Sequence, residues 1–363
     1  MNTKDYLNFS NLLKALRKTC RNVRWKTSIT QYELNGLKNS VKLINSATNK
    51  TYKISGYRVF QIYEPKKRTI MATRIKDRHL QRSLCDNYLY KCLTKSFIYD
   101  NCACQVGKGT HFAIKRMGTH LHKFYRRNKS NQGYYLKCDI HKFFESIDHE
   151  KLKQLIQDKI DDVDIRIRIF EIIDSFKGNV GIGLGSQVNQ LLALFYLNGM
   201  DHLIKEKLKI KNYIRYSDDF ILLHPDKQYL IQCRNNISEY LNSLGLTLNN
   251  KTIIQKITKG IKFLNMKYIL TDTGKVIITS DKKKIRIRKR KIKHMLLSNK
   301  NHITLDVVKK TLLGMIGYLK KYNTHKEVMW LISLLNKIET YPNIDKSLLI
   351  GKNINQLLIN VLI

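Results

Sequence analysis

The chain has 363 residues, 43% of them apolar, which is material for two or three modest domains or one large one and excludes a disordered chain. Its 67 Lys and Arg against 28 Asp and Glu give a formal charge of +39, which calls for a polyanionic partner, nucleic acid first. No stretch approaches the roughly 18 apolar residues of a membrane span, and Met1 to Leu13 lacks the apolar centre of a signal peptide.

Residues 1–50 read as mainly helical and basic. Residues 51–75 alternate in the strand manner, and residues 77–127 read as helical with a turn at Gly107-Lys108-Gly109. From Tyr134 the texture changes. YYLKCDI is a buried strand that ends on Asp139, and Asp148 caps a helix through HEKLKQLIQDKI. GNVGIGLGS is a Gly-rich turn, followed by one apolar helix, QLLALFYLNGMDHLI. KNYIRYSDDFILLH is two short strands meeting at YSDD, with a helix over residues 227–244 and the segment IKFLNMKYIL beyond it. This order predicts an α+β layer, an antiparallel sheet backed by helices. The densest basic run is KKKIRIRKRKIK, residues 282–293. Two helical patterns follow: Val308, Leu312, Ile316, Leu319, then Val328, Leu331, Leu335 behind the capping box Thr324-x-x-Glu327. The seven cysteines are odd in number and scattered, and C-x-C at Cys102 and Cys104 is poor zinc spacing. They read as reduced thiols of a cytoplasmic protein.

In so basic a chain, clustered acids need a reason. Asp218 and Asp219 are adjacent between apolar runs, where two carboxylates repel, and a divalent cation is the simplest thing that makes this tolerable. Asp139 closes the other buried strand. If the two loops lie side by side, three carboxylates can hold two Mg²⁺ ions about 4 Å apart. The plain alternative is that the Asp pair caps a turn and Asp139 caps a helix.

YSDD within YIRYSDDFILL resembles the YxDD box of reverse transcriptases, and LKCDIHKFFESIDH their preceding acidic motif. GIGLGSQVNQLLALFYLN resembles their Gly-rich box, EPKKRTIMATRIKDRHLQ their fingers segment, and LTLNNKT with GIKFLNMKY the two boxes after the active site. The boxes stand in order over roughly Tyr57 to Leu335. The run FIYDNCACQVGKGTHFA, with Leu184 before Gly185 where other members have Gln, looks like diversity-generating retroelement enzymes and their phage-defence relatives. Gln190 sits where the diversity-generating enzymes carry theirs. Asn189 stands where relatives have Ser, and Asn265 where FLG has Gly. The retron elements VTG and NAxxH are not found, nor is a zinc-binding or nuclease appendage.

The resemblance implies a right-hand polymerase: fingers in residues 1–133, palm in 134–278 and a helical thumb in 279–363. It implies an RNA-directed DNA polymerase that uses two Mg²⁺ ions, an RNA template (a dedicated non-coding RNA), a primer, its cDNA product and deoxynucleoside triphosphates. An accessory protein or a second copy of the chain is a further candidate partner, and the cell is bacterial, the gene its own or a phage's. Asp139 and Asp218 would be the principal metal ligands and Asp219 the weaker or indirect third, and Lys251 would protonate the leaving pyrophosphate or merely contact backbone. Lys66 and Arg68 match the triphosphate clamp, with a solvated strand edge as the plain alternative. Phe144 matches the sugar-selecting aromatic, or is a core Phe beside Phe143. Leu184, Gly185 and Gln190 would line the nucleotide site. Lys289, Arg290 and Lys291 would meet the nucleic-acid backbone, or form a solvated face. Gly107-Lys108-Gly109 wraps a phosphate or is simply a turn. Asp148, His149, Asp201 and His202 read as caps and satisfied polar contacts. The rival class is a polymerase relic that only binds RNA.

Overall fold

The computed structural model describes residues 5–63, 66–297 and 305–336. Contacts divide the chain into two compact units, Met1–Ala113 with Tyr134–Ile254, and Ile114–Gly133 with Gln255–Ile363.

The first unit opens with helices α1 (Phe9–Cys20), α2 (Thr27–Leu34) and α3 (Gly36–Thr48). The Asn8 side chain starts α1 by accepting the free N–H groups of Ser10 and Asn11. Leu12, Leu16 and Cys20, four residues apart, form its buried stripe. Strands β1 (Tyr57–Ile62) and β2 (Arg68–Thr73) make an antiparallel hairpin, in register from Tyr57 opposite Thr73 to Ile62 opposite Arg68. Helices α4 (Ile75–Leu84) and α5 (Tyr90–Thr94) follow, joined by a π turn at Cys85–Leu89, and the boundary between units falls within α6 (Thr110–Asn128).

Next come β3 (Tyr134–Asp139), α7 (His149–Lys159), α8 (Val163–Asp174), α9 (Gln187–Tyr196), α10 (Asn198–His202), β4 (Asn212–Tyr216), β5 (Asp219–His224), α11 (Lys227–Ser243) and β6 (Ile253–Lys256). The sheet runs in the order β4-β5-β3-β6, with the β3–β5 and β4–β5 pairs antiparallel. Strands β3, β4 and β5 are largely buried on both faces, which is why YYL and FILL read as apolar runs rather than clean alternation, whereas the edge strand β6 is mostly exposed.

Two elements depart from the sequence reading. Helix α8 is absent from that reading, although Asp162 caps it through the Ile165 N–H and Ile165, Ile169, Ile172 and Ile173 line its buried face. The single apolar helix expected through residues 190–204 is broken at Leu197. Gly199 there packs so closely beneath the Tyr240 hydroxyl of α11 that a β-carbon would clash.

In the second unit, β7 (Ile261–Phe263), β8 (Met266–Leu270) and β9 (Val276–Ser280) form an antiparallel three-stranded sheet. Strand β9 is a further addition to the elements expected from sequence. The basic run is α12 (Lys282–Leu297), started by the Asp281 carboxylate, which accepts the Lys283 N–H at 2.8 Å. Ile292 packs with Val308, Leu312, Ile316 and Leu319 of α13 (Leu305–Leu319) and Leu331 and Leu335 of α14 (His325–Asn336), so the predicted periodic positions form this unit's apolar cluster. Thr324 is buried and its hydroxyl donates back to the Leu319 carbonyl at 2.6 Å, closing the end of α13. Among the described residues no helix is long and apolar enough to cross a membrane.

Candidate functional site

Asp139 is the last residue of β3 and Asp219 the first of β5, and the antiparallel register sets them directly opposite one another. Strands β4 and β5 pair at Tyr216 and Asp219, so Ser217 and Asp218 are the two-residue turn between them. Ser217 has φ +59, the left-handed conformation that tight hairpins use, at a cost of about 1–3 kcal/mol for a residue other than Gly. The turn is braced from below. Arg215 is fully buried and donates to the Ser217 carbonyl at 3.0 Å, while its Nε and Nη2 grip both oxygens of Asp201 at 2.8 and 2.5 Å. Tyr213 donates to the same Asp201 at 2.6 Å. Asp201 is thus the satisfied polar contact it was read as, and the clamp it forms with Arg215 lies one layer beneath the acidic turn.

The acids are electrostatically strained. Burial raises the Asp219 carboxyl to about 7; Asp139 and Asp218 add to that and Lys137 opposes it. Burial also raises Asp218, with Asp139 adding to the shift and Arg68 opposing it. Lys137 lies 3.5 Å from Asp219 Oδ2, whereas Asp219 Oδ1 is buried with no hydrogen-bond partner. Asp139 Oδ2 accepts from the Asn249 amide at 3.0 Å. Facing carboxylates, one with an orphaned buried oxygen, fit a hard divalent cation. Among the described residues no three His, Cys, Asp or Glu side chains already close a metal cage, so an ion here would need oxygens from water and substrate, as Mg²⁺ accepts.

The Gly-rich loop lies against the β hairpin. Met71 N–H donates to the Leu184 carbonyl at 2.9 Å, and Gly185, at φ +125, takes a backbone conformation that favours glycine, with Ile70 and Met71 close enough that an added β-carbon would fit tightly. Leu184 and Gln190 are half-buried. Asn189 is buried and donates to the Gly183 carbonyl at 2.7 Å, so the residue that departs from Ser ties the loop to the first turn of α9. Phe143 enters the core while Phe144 stays half-buried, and the Phe144 carbonyl accepts from Ile182 N–H at 2.8 Å. Lys66 and Arg68 are exposed on the hairpin, and Lys251 is exposed two residues after Asn249.

Lys289, Arg290 and Lys291 lie in the other unit and do not share one environment. Lys289 is half-buried with its ammonium 4.5 Å from the Trp330 ring centroid, whereas Arg290 and Lys291 are exposed. Lys108 donates to the Tyr99 and Asn101 carbonyls, which makes Gly107-Lys108-Gly109 a turn that folds back on its own segment. Asp148 caps α7 through the Lys151 N–H, and His149 and His202 each bond a backbone carbonyl at 2.8 Å, all as read.

Sequence reasoning missed Asn249, Lys137 and Arg215. Asn249 lay inside LTLNNKT, a segment already singled out, but its partner is 110 positions away and only strand register reveals it. An Arg within an apolar strand was the available signal for the buried clamp.

A family profile described as reverse transcriptase (RNA-dependent DNA polymerase) matches residues 61–268. Among solved structures, telomerase from Candida albicans with a fragment of telomeric RNA is similar at 12% identity and a TM-score of 0.53, over 91% of this chain and 64% of that one. Apo telomerase from Candida tropicalis is similar at 13% identity and 0.52, over 90% and 66%. A form of the latter truncated from its C-terminal domain gives 14% and 0.49, over 68% and 60%. This chain therefore spans under two thirds of those proteins. No curated protein sequence matches it. The mixed helical and antiparallel architecture is the α+β fold of a right-hand polymerase, as the sequence predicted.

Proposed function

This chain belongs to the reverse transcriptase (RNA-dependent DNA polymerase) family, and from that premise we propose that it extends a primer on an RNA template through the Asp139, Asp218 and Asp219 site. Family membership carries an RNA template and deoxynucleoside triphosphates as substrates, and reverse transcriptases generally use divalent metal ions, typically Mg²⁺. The observation that carries the assignment of residues is the cross-strand opposition of Asp139 and Asp219, with Asp218 on the adjoining turn.

Those three carboxylates would hold two Mg²⁺ ions, which when bound supply charge neutralisation for the attacking 3′-oxygen and the departing pyrophosphate. Asp139 and Asp219 approach from opposing strands, so the sheet register sets where both carboxylates start from. The Arg215 clamp fixes the turn from which Asp218 projects. Arg68 and Lys66 would meet the triphosphate by charge, since both are exposed and Arg68 already acts on the charge of Asp218. Half-buried Phe144 would fill the space of a 2′-hydroxyl, with Leu184, Gly185 and Gln190 bounding the base and sugar. Lys251 would give a proton to the leaving pyrophosphate. By role, we assign residues 1–133 to fingers, 134–278 to palm and 279–363 to thumb, a division by function rather than by compactness.

Primer extension on an RNA template with Mg²⁺ tests the activity. Asp218→Asn is expected to abolish synthesis and leave RNA binding nearly intact, because it removes a ligand and not the groove. Wild-type extension by that variant would remove Asp218 from the mechanism. Tight RNA binding by the wild type with no extension under any divalent ion would install the relic reading instead.

For the biological role we propose copying of a dedicated non-coding RNA in a bacterial or phage-encoded retroelement of the diversity-generating type. The run at residues 97–113 and the apolar Leu184 before Gly185 support it. Antiphage defence is the competing role, and accurate base selection would favour it.

A further inference from the structure

We propose that Asn249 is the positioning residue for the Asp139 carboxylate, fixing which of its oxygens is presented to a divalent cation. The inference rests on the reading of Asp139, Asp218 and Asp219 as the cation-holding set.

Asn249 is tied at both ends of its side chain. Its Oδ1 accepts the Lys251 backbone N–H at 3.1 Å, so its NH₂ must be the group that faces Asp139, where Nδ2 donates to Oδ2 at 3.0 Å. The orientation of the amide is therefore settled by its partners. The backbone joins the same two residues independently: Asn249 N–H donates to the Asp139 carbonyl at 2.7 Å, and His141 N–H to the Thr247 carbonyl at 2.9 Å. Ile140 and Leu248 form an antiparallel bridge between them. Segment 247–249 thus runs beside 139–141 whatever side chain stands at 249, and the amide adds control of the carboxylate alone.

The neighbouring acid is arranged in parallel fashion. Asp219 Oδ2 faces Lys137 Nζ at 3.5 Å, and its Oδ1 is the buried oxygen without a partner. Each of the two opposed carboxylates has one oxygen held by a protein nitrogen. A neutral amide is suited to Asp139, because it donates a hydrogen bond without adding a second cation that competes with the metal, or an anion that deepens the repulsion raising Asp219. Asn249 reaches neither substrate nor metal in this scheme; it acts through Asp139.

The competing account is that Asn249 only shapes the turn at 249–252 through its Oδ1. Two variants separate the accounts. Asn249→Ser keeps a short acceptor for the Lys251 N–H, as such turns allow, but cannot reach Asp139. Asn249→Ala loses both contacts. Mn²⁺ binding is to be measured by electron paramagnetic resonance on protein free of RNA and nucleotide, with circular dichroism on the same samples. We expect both variants to bind Mn²⁺ about 10- to 100-fold more weakly than wild type, the usual loss when a ligand's hydrogen-bond partner is removed, with an unchanged fold. Extension activity should recover toward wild type as metal is raised, so the effect falls on the metal requirement and not on the maximal rate. Wild-type affinity in Asn249→Ser with loss only in Asn249→Ala overturns the proposal in favour of the turn. Equal affinity in all three proteins overturns it as well, while the metal site stands. If Ala does not fold, the Ser variant alone decides. Absence of Mn²⁺ binding in the wild type overturns the carboxylate reading and this inference together.

Discussion

Asp219→Asn should remove catalysis and yet stabilise the metal-free protein. The folded chain holds the Asp219 carboxyl near 7, against an ordinary value of 3.8. A group whose folded pKa is raised in this way binds an extra proton in the native state between those two values. Stability therefore falls as pH climbs from about 4 to about 7, and the full penalty is present above that. That difference corresponds to roughly 4 kcal/mol, at about 1.36 kcal/mol per pH unit. A quarter of the side chain faces solvent, which screens part of this, so roughly 2 kcal/mol is a fair expectation. Asn fills the same volume without a charge. In EDTA at pH 8 the variant should melt some ~2–5 °C above wild type, and the gap should narrow at pH 5, where native Asp219 is already protonated. Mg²⁺ should then raise the melting temperature of wild type and leave the variant nearly unmoved. A variant that melts at or below wild type in EDTA, or a gap that does not change with pH, would refute the claim that the fold holds Asp219 against the cost of its burial and, secondarily, of the neighbouring acids.

The basic helix should divide by environment. Replacing exposed Arg290 and Lys291 with Gln should weaken RNA binding alike across sequences and flatten its dependence on log salt by up to about two units, whereas Lys289→Gln should leave that slope and instead cost stability, by about 0.5–1 kcal/mol, through the lost Trp330 contact. A sequence-selective loss, or an equal slope change from Lys289, contradicts this. Leu184→Gln should improve accuracy, because a polar group left unpaired discriminates more strongly than pair shape. The Leu184 carbonyl stays bonded to Met71 N–H in either case, so the loop keeps its place. Misincorporation opposite each template base measures it, and high accuracy in the wild type would end the diversification reading.

What the sequence made legible has a physical pattern. Asp139, Asp218 and Asp219 stood out because acids at the ends of apolar runs are costly, and β3, β4 and β5 because buried strands carry short Ile, Leu and aromatic runs such as YYL, YI and FILL. The helical pair α13 and α14 was legible in its 3.6-residue period, since its apolar stripe is its whole packing surface. Contacts between distant strands left no such trace. Asn249 and Lys137 look like ordinary polar residues until register puts one beside Asp139 and the other beside Asp219. Lys289 read as one more cation in a run, because nothing in KKKIRIRKRKIK says that Trp330 lies under one of them.

The same contrast explains how a chain of +39 keeps an acidic centre at all. Long-range attraction from so many cations would favour ionised carboxylates, yet Asp219 is pushed the other way by burial and by two acids within the same turn and strand pair. Local geometry outweighs net charge here because screening by salt limits exposed cations to about 8–10 Å, while the opposed carboxylates meet across a single strand spacing. The sheet register therefore does what composition cannot: it sets Asp139 opposite Asp219, with Asp218 on the adjoining turn, in a protein otherwise built to attract polyanions, and Asp219 Oδ1 is left without a protein partner.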